Sequence, residues 1–593
     1  MIVTFFLSHL NLSKAEEDTC VLDTLFACIL YNRKKDTLRG GHMVIKRAWW
    51  KEAVGYQIYP ASFMDTNSDG IGDINGIRSK LHYLKELGIG FIWITPIYES
   101  PNVDNGYDIS DYQNILATFG TMEEFDLLLK EAHEYGIKII MDLVINHTSN
   151  QHPWFIESRS SVKDDFRDYY IWADGSIDGP PNDWVSIFGG SAWEYDELTD
   201  QYYLHVFAKE QPDLNWENPQ VKRALFSMID WWLDKGIDGF RVDAISHIKK
   251  APLETSSIND PFASFKNVPG IEAHLEELRD IFKKRDILTV GEANGVSAAE
   301  ADQWVGETEG YFNMLFEFDH IALWNKGEQE GFDVVQFKQA ITIWQEALAE
   351  GKGWNALYME NHDLPRSVSS FGSEEIVFWQ ASAKALALTF LLLQGTPFIY
   401  QGQEIGMTNM PFASIAEIDA VDTKNFYYEM LNTGLAPEKA MDVIRRTARD
   451  NSRTPMQWTA EEYAGFSRKK PWMVINPNKR RINVLDELAD PDSVLNFYKA
   501  VIQLRNENEA LIYGSYKLYL PEHPQLFVYG RRLGEKRFVI IINLSKEFAS
   551  ADLPENVQIE DWDLKVCNLN NHVIHQHTIF APYEARVYQY KNK

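Results

Sequence analysis

Eight short apolar runs recur along the first two thirds of the chain: Val54–Tyr59, Gly90–Ile94, Lys138–Leu143, Gly239–Val242, Ile287–Val290, Tyr311–Phe316, Trp354–Tyr358 and Thr396–Tyr400. Amphipathic helical patterns such as Gly76–Leu87 and Met122–Tyr135 lie between several of them. Continuous apolar strands alternating with helices are the signature of a parallel sheet buried on both faces. Eight such units close on themselves, so the expected fold is α/β, a (β/α)8 TIM barrel.

Two regions exceed a bare barrel. Residues 147–214 are too long for an ordinary strand-to-helix loop and rich in Trp, Tyr, Gly and Pro, which predicts an inserted subdomain over the mouth of the barrel after its third strand. Beyond residue 515 the pattern becomes short alternating runs (Ser515–Leu520, Leu526–Arg531, Arg537–Leu544, Ala585–Tyr590), which suits an antiparallel C-terminal β-sandwich over 515–593. The barrel is thereby divided into 43–146 and 215–514. Residues 1–42 show no sustained period and read as a dispensable, disordered extension, without a signal peptide or membrane anchor.

At 593 residues the chain exceeds what one core can organise, in keeping with several domains. Lys plus Arg number 57 against 86 Asp plus Glu, a net charge of −29, and a field of that sign repels phosphate backbones and anionic headgroups. Nucleic acid and membrane surfaces are therefore not expected partners, and a monomer is expected. Three cysteines cannot build a disulfide framework, which fits a reducing, cytoplasmic setting.

Barrel enzymes carry their chemistry at the C-terminal ends of the strands. There the sequence places Asp142 through Asn146-His147, Arg241-Val-Asp243, Glu292, and Asn361-His362-Asp363. A lone acid at a strand end is usually a cap or a surface group; carboxylates from several strands aimed at one mouth are a different matter. With no Ser-His or Cys-His partnership in view, paired carboxylates point to glycoside cleavage, in which one acid protonates the leaving oxygen and a carboxylate attacks the anomeric carbon. Asp243 lies two residues from Arg241, on the same side of a strand, so the guanidinium is expected to keep it ionised; Glu292, near other carboxylates, is expected to stay protonated.

These segments, with GFRVDA (239–244) and NHD (361–363), resemble the four signature regions of the α-amylase type family, glycoside hydrolase family 13. QPDLNW (211–216) and RDNSRTPMQW (449–458) resemble its oligo-1,6-glucosidase and α-glucosidase branch. The similarity runs from about residue 46 to the C-terminus. It implies Asp243 as nucleophile, Glu292 as acid/base and Asp363 as transition-state stabiliser of a retaining mechanism. It also implies that Asp104, Tyr107, His147, Arg241, His362 and Arg449 grip the terminal glucose of a small oligosaccharide, an Asp104–Arg449 pair closing the pocket for exo action.

The loop Asp65-Thr-Asn67-Ser-Asp69-Gly-Ile71-Gly-Asp73 spaces oxygen ligands at alternate positions, as calcium loops do, but lacks an EF-hand's closing Glu. Asp65, Asn67, Asp69, the Ile71 carbonyl and Asp73 are expected to hold a structural Ca²⁺, or Mg²⁺, far from the chemistry; the resemblance supports Ca²⁺. In the same branch Val after the nucleophile accompanies α-1,6 preference and smaller residues α-1,4. Ala244 stands here, so α-1,4 oligosaccharides are the expected main substrates, with isomaltose-type activity retained. Two positions depart from the family pattern: Leu364 where Gln is usual, and Ala61 where Arg is common. The Arg-rich segment that sucrose isomerases carry ahead of NHD is not seen in Glu328–Lys338, and no phosphate clamp for trehalose 6-phosphate is identifiable. A non-catalytic relative, such as a transporter's ancillary subunit, would need a membrane helix and would tolerate lost carboxylates.

Overall fold

The computed structural model describes residues 46–176, 179–255, 260–323, 333–553, 557, 562–569 and 578–591. The proposed extension, with Cys20 and Cys28, lies outside them, as do residues 328–332 of Glu328–Lys338.

All eight predicted strands form: β1 (Gly55–Ile58), β2 (Phe91–Ile94), β3 (Lys138–Val144), β4 (Gly239–Asp243), β5 (Leu288–Glu292), β6 (Met314–Phe316), β7 (Ala356–Leu357) and β8 (Thr396–Tyr400). They make one parallel sheet in the order β6-β5-β4-β3-β2-β1-β8-β7. The barrel is therefore laddered all round except at the β6–β7 seam. There His320, just past β6, donates from Nε2 to the Tyr358 carbonyl at 2.8 Å while its Nδ1 meets Glu317, a side-chain bridge where backbone pairing stops. Strand residues are buried on both faces, as parallel strands sheathed by helices require. At the start of β4, Gly239 has φ of 145° and a Cβ there would lie 1.9 Å from the Leu288 carbonyl oxygen, so only glycine lets β4 and β5 approach this closely.

Helix boundaries follow local chemistry. Met122–Glu134 starts at a Thr121/Glu124 capping box, and Pro219–Lys235 runs from an Asn218 cap to Gly236 in the left-handed region. The single helix expected over Gly76–Leu87 is two, Ile74–Ser79 and Leu81–Leu87, because the backbone of Lys80 leaves the helical region.

The stretch after β3 folds as a subdomain with a helix, Pro153–Ser160, and a small antiparallel sheet of Trp172–Ala173, Gln201–Leu204 and Trp193–Asp196. Its own aromatic core includes Trp184, Phe188, Trp193 and Phe207, and reaches Ala244 and Phe265 of the barrel. Its two ends are joined by a bridge between His147 and Asp213, and Lys250 ties Asp213 to the barrel at 2.6 Å.

The C-terminal domain is a five-stranded antiparallel sheet of β9 (Ser515–Tyr519), β10 (Leu526–Leu533), β11 (Lys536–Asn543), β12 (Trp562–Cys567) and β13 (Ala585–Tyr590), ordered β9-β10-β11-β13-β12. A two-stranded sheet, Ala549–Ser550 with Ile579–Phe580, accompanies it. Strand β12 has no counterpart among the predicted runs: its exposed Asp563, Leu564 and Lys565 break the apolar alternation. Buried Arg531 fixes this domain to the barrel by donating to the carbonyls of Leu392, Leu511, Ile512 and Gly514. Among the described residues no helix is long and apolar enough to cross a membrane.

Candidate active site

The C-terminal ends of the strands converge on one buried guanidinium. Arg241 on β4 bonds Asp142 of β3 at 2.7 Å and Asp243 at 2.6 Å through Nη1, and Glu292 of β5 at 2.9 Å through Nη2. The ladder places Asp142 opposite Arg241, and strand alternation puts Asp243 on the same face. At the end of β4 the chain turns through Ala244 in the left-handed region, φ 44°, and the Ala244 N–H donates to Glu292 Oε2 at 3.0 Å.

A second charge centre faces the first. Arg449 reaches Asp422 at 2.7 Å, Asp363 at 3.0 Å and Asp104 at 3.2 Å, and Arg453 adds a 2.9 Å contact to Asp363. The expected Asp104–Arg449 contact is thus present, but the shortest partner of Arg449 is Asp422.

Histidines and aromatics lock the two centres together. Gln57 of β1 donates to His362 Nδ1 at 2.7 Å, which leaves the proton on Nε2, facing Tyr107 Oη at 2.7 Å and Asp363 at 3.1 Å. Tyr107 in turn donates to Asp142 at 2.9 Å, and its ring stacks on His362 with centroids 5.3 Å apart. Burial lowers His362 to about 3, so it is neutral at physiological pH, which that tautomer requires. His147 is likewise brought to about 4 by burial; Asn146 donates to its Nδ1 and its Nε2–H meets the Tyr107 carbonyl.

Asp104, Tyr107, His147, Asp243, Glu292, Asp363 and Arg449 all line one pocket, together with Phe188 and Phe207 from the inserted subdomain. Arg241 and His362 stand behind this wall and position it. The cavity is small, about 30 Å³. Asp422, Arg453, Phe188, Phe207 and Gln57 join the site without any mark of their own in the sequence pattern. Arg453 falls inside the RDNSRTPMQW motif, which could have pointed to it; Phe188 and Phe207 sit in aperiodic sequence where no signal singles them out.

The electrostatics differ from expectation at Asp243. Burial pushes its carboxyl well above the usual range; Arg241 opposes that, while Glu292 and Asp142 add to it. Asp142 is pushed up to about 6 for the same first reason. Arg241 therefore opposes the effect of burial on Asp243 without outweighing it, and it serves two further carboxylates. Glu292 Oε2 accepts from Arg241 and the Ala244 N–H. Asp363 is the opposite case, where burial is outweighed by His362, Arg449 and Arg453, which hold it well below the carboxylate range.

The Asp65–Asp73 loop lies after β1, away from the pocket. Every oxygen of its three carboxylates already accepts a proton donor: Asp65 from the N–H groups of Ser68 and Gly70, Asp69 from Ile71 N–H and the Asn67 amide, and Asp73 from Thr66 and Gly76. Among the described residues no three His, Cys, Asp or Glu side chains gather as a metal site. The donors are hard oxygens of the type calcium takes, each with a lone pair to spare, but they are arranged here as a self-bonded turn.

Comparison with known proteins accords with this geometry. The family model for the alpha amylase catalytic domain matches residues 57–514. The probable oligo-1,6-glucosidase 3 of Bacillus subtilis (strain 168) is 52% identical over 558 residues, covering 92% of this chain and 100% of that protein. The alpha-glucosidase of Pediococcus pentosaceus is 45% identical, covering 91% of this chain and 99% of that protein. The crystal structure of Bacillus licheniformis trehalose-6-phosphate hydrolase superposes with a TM-score of 0.86 at 40% identity, covering 92% of this chain and 100% of that chain. With its barrel, its clustered carboxylates and relatives spanning nearly its whole length, the chain is a glycoside hydrolase of the alpha-amylase family, glycoside hydrolase family 13.

Proposed function

We propose that the enzyme is a retaining, exo-acting α-glucosidase that releases glucose from the non-reducing end of short α-linked gluco-oligosaccharides. The observation that carries this reading is the gripping of Asp243 and Glu292 by one guanidinium, with Asp363 and the Arg449–Asp104 contact closing the far side. Two carboxylates on a single guanidinium are close together, as a double displacement needs; an inverting enzyme spaces them to admit a water. Asp243 attacks the anomeric carbon while Glu292 gives its proton to the departing glycosidic oxygen. Glu292, now a carboxylate, takes a proton from water, which attacks the same carbon and frees Asp243. The reaction requires the proton on Glu292. Asp363, kept ionised, and His147, which lines the pocket, face the sugar hydroxyls.

Linkage preference rests on Ala244. Its side chain is buried in the aromatic cluster that includes Phe207, a pocket wall, so added bulk there would press on that wall. Leu364, the other departure from the family pattern, is buried in the main core and offers nothing to a bound sugar. We retain an α-1,4 lean with α-1,6 activity beside it. The name of the more similar relative favours the α-1,6 bond, which is the second reading. A structural Ca²⁺ in the Asp65–Asp73 loop belongs to the same proposal, supported by the hard-oxygen donor set. The cysteine usage supports a reducing, cytoplasmic setting.

Three outcomes test these statements. Glu292→Gln should lose on the order of 10²–10⁴-fold in kcat/KM on maltose, the usual worth of a positioned general acid. With an aryl glucoside of good leaving ability it should still give a burst of phenol equal to the enzyme, followed by slow turnover; no burst would remove Glu292 from this role. On linkage, the native enzyme should show higher kcat/KM on maltose than on isomaltose, and Ala244→Val should shift that ratio toward isomaltose by roughly tenfold or more, about 1–3 kcal/mol. Valine at a positive φ also strains the fold, but a ratio measured on one preparation is insensitive to folded fraction; an unchanged ratio would contradict the lean. For the loop, a chelator should lower the melting temperature of the calcium-loaded enzyme, and added Ca²⁺ should restore it; an unmoved melting temperature would eliminate the ion.

A further inference from the structure

Beside the catalytic pocket lies a second cavity of about 230 Å³, open to solvent, which the reaction does not use. It sits where the ends of β1 and β2 meet the loop 102–106. Its floor is Tyr59, Pro60, Pro96, Leu116 and Phe119, all but Pro60 and Pro96 large apolar groups, and its rim carries Asn102, Asn105, Thr118 and Asp419. Ala61 lines the cavity, so a long side chain there would run into it.

The wall chemistry selects among ligands. Asp419 is the one charged residue on the lining, so an anion has no counter-charge and phosphates and carboxylates are disfavoured. Trp472 has its indole N–H committed to the Ala61 carbonyl at 2.9 Å and Ser62 Oγ at 3.1 Å, so what it presents is ring. Tyr59 lies beside it, centroids 6.4 Å apart. Tyr59 itself is stacked on His362 and covered by Arg453, so the ring available to a ligand is that of Trp472; with amide, hydroxyl and carboxylate groups at the rim it matches the two sides of a pyranose, an apolar C–H face and an equatorial belt of hydroxyls. The volume suits one ring and not a chain.

We infer that this cavity, lined in part by Ala61, is an accessory binding site for a single pyranose, glucose or the terminal unit of an oligosaccharide, separate from the catalytic pocket. The two sites share a wall. Asn105 donates to Asp419 at 2.9 Å on the cavity side and accepts from Arg453, which holds the catalytic Asp363 at 2.9 Å. Asn102, Asn105 and Gly106 all have positive φ, so the loop that presents Asp104 is held in an uncommon conformation directly against the proposed sugar.

The test is glucose stoichiometry by equilibrium dialysis of the whole enzyme, in the native form and in Ala61→Arg, which fills the cavity. The inference does not require the catalytic assignment, and the two can fail separately. Two glucose molecules per native chain and one per Ala61→Arg chain would support both. One per native chain and none in the variant would support the cavity site and count against glucose in the catalytic pocket. The same number in both forms, whether two, one or none, would overturn the cavity site. Ala61→Leu, which fills the space without charge, should behave as Ala61→Arg does, and it covers the case in which the buried charge prevents folding; Ala61→Ser, which leaves the space open, should retain the native stoichiometry.

Discussion

The active end of the barrel depends on a buried guanidinium that has more carboxylates than it can neutralise. Arg241 is almost wholly enclosed and contacts Asp142, Asp243 and Glu292. Burying an ionised group is costly unless it is paired and hydrogen-bonded. A lone arginine facing a lone aspartate would meet that condition and leave the aspartate strongly ionised and inert. Three acids compete for one cation here, and burial pushes the carboxyls of Asp243 and Asp142 above the usual range. The second cation, Arg449, answers the same problem differently: with Arg453 beside it, Asp363 is held ionised outright.

The fold exists to hold these centres at fixed distance. Arg241 and Asp243 are placed by strand alternation, Asp142 and Glu292 by the ladders on either side, and Gly239 permits the tight approach of β4 to β5. Arg449, by contrast, follows a long excursion after β8 and is fixed by Asp422, which stands in the first turn of helix Val421–Asn432. The inserted subdomain contributes Phe188 and Phe207 as apolar walls beside the carboxylates, and a less polar wall strengthens the charge interactions within.

The barrel is legible in the sequence because its strands are buried on both faces and so stand out as unbroken apolar runs, down to the two-residue β7 inside Trp354–Tyr358. The site residues on strand ends are legible for the same reason: polar residues terminating an apolar run are conspicuous. What escapes detection lacks any such contrast. Asp422 reads as an ordinary acid in a helix's first turn, where Asp is favoured anyway. Phe188 and Phe207 lie among aromatics with no period. The proton balance is hidden because a sequence shows that Arg241 neighbours Asp243 but not that Asp142 and Glu292 compete for the same nitrogens. The helix break at Lys80 leaves no mark, since nothing in its side chain forbids a helix.

The central claim, that one guanidinium brings two carboxylates close enough for a double displacement, is tested most directly by the anomeric form of the first glucose released. Proton NMR of maltose hydrolysis, followed before mutarotation equilibrates the product, should show α-glucose appearing first and β-glucose growing only later. First-formed β-glucose would mean that a water, not Asp243, attacks the anomeric carbon, and the role assigned to Arg241 would be contradicted.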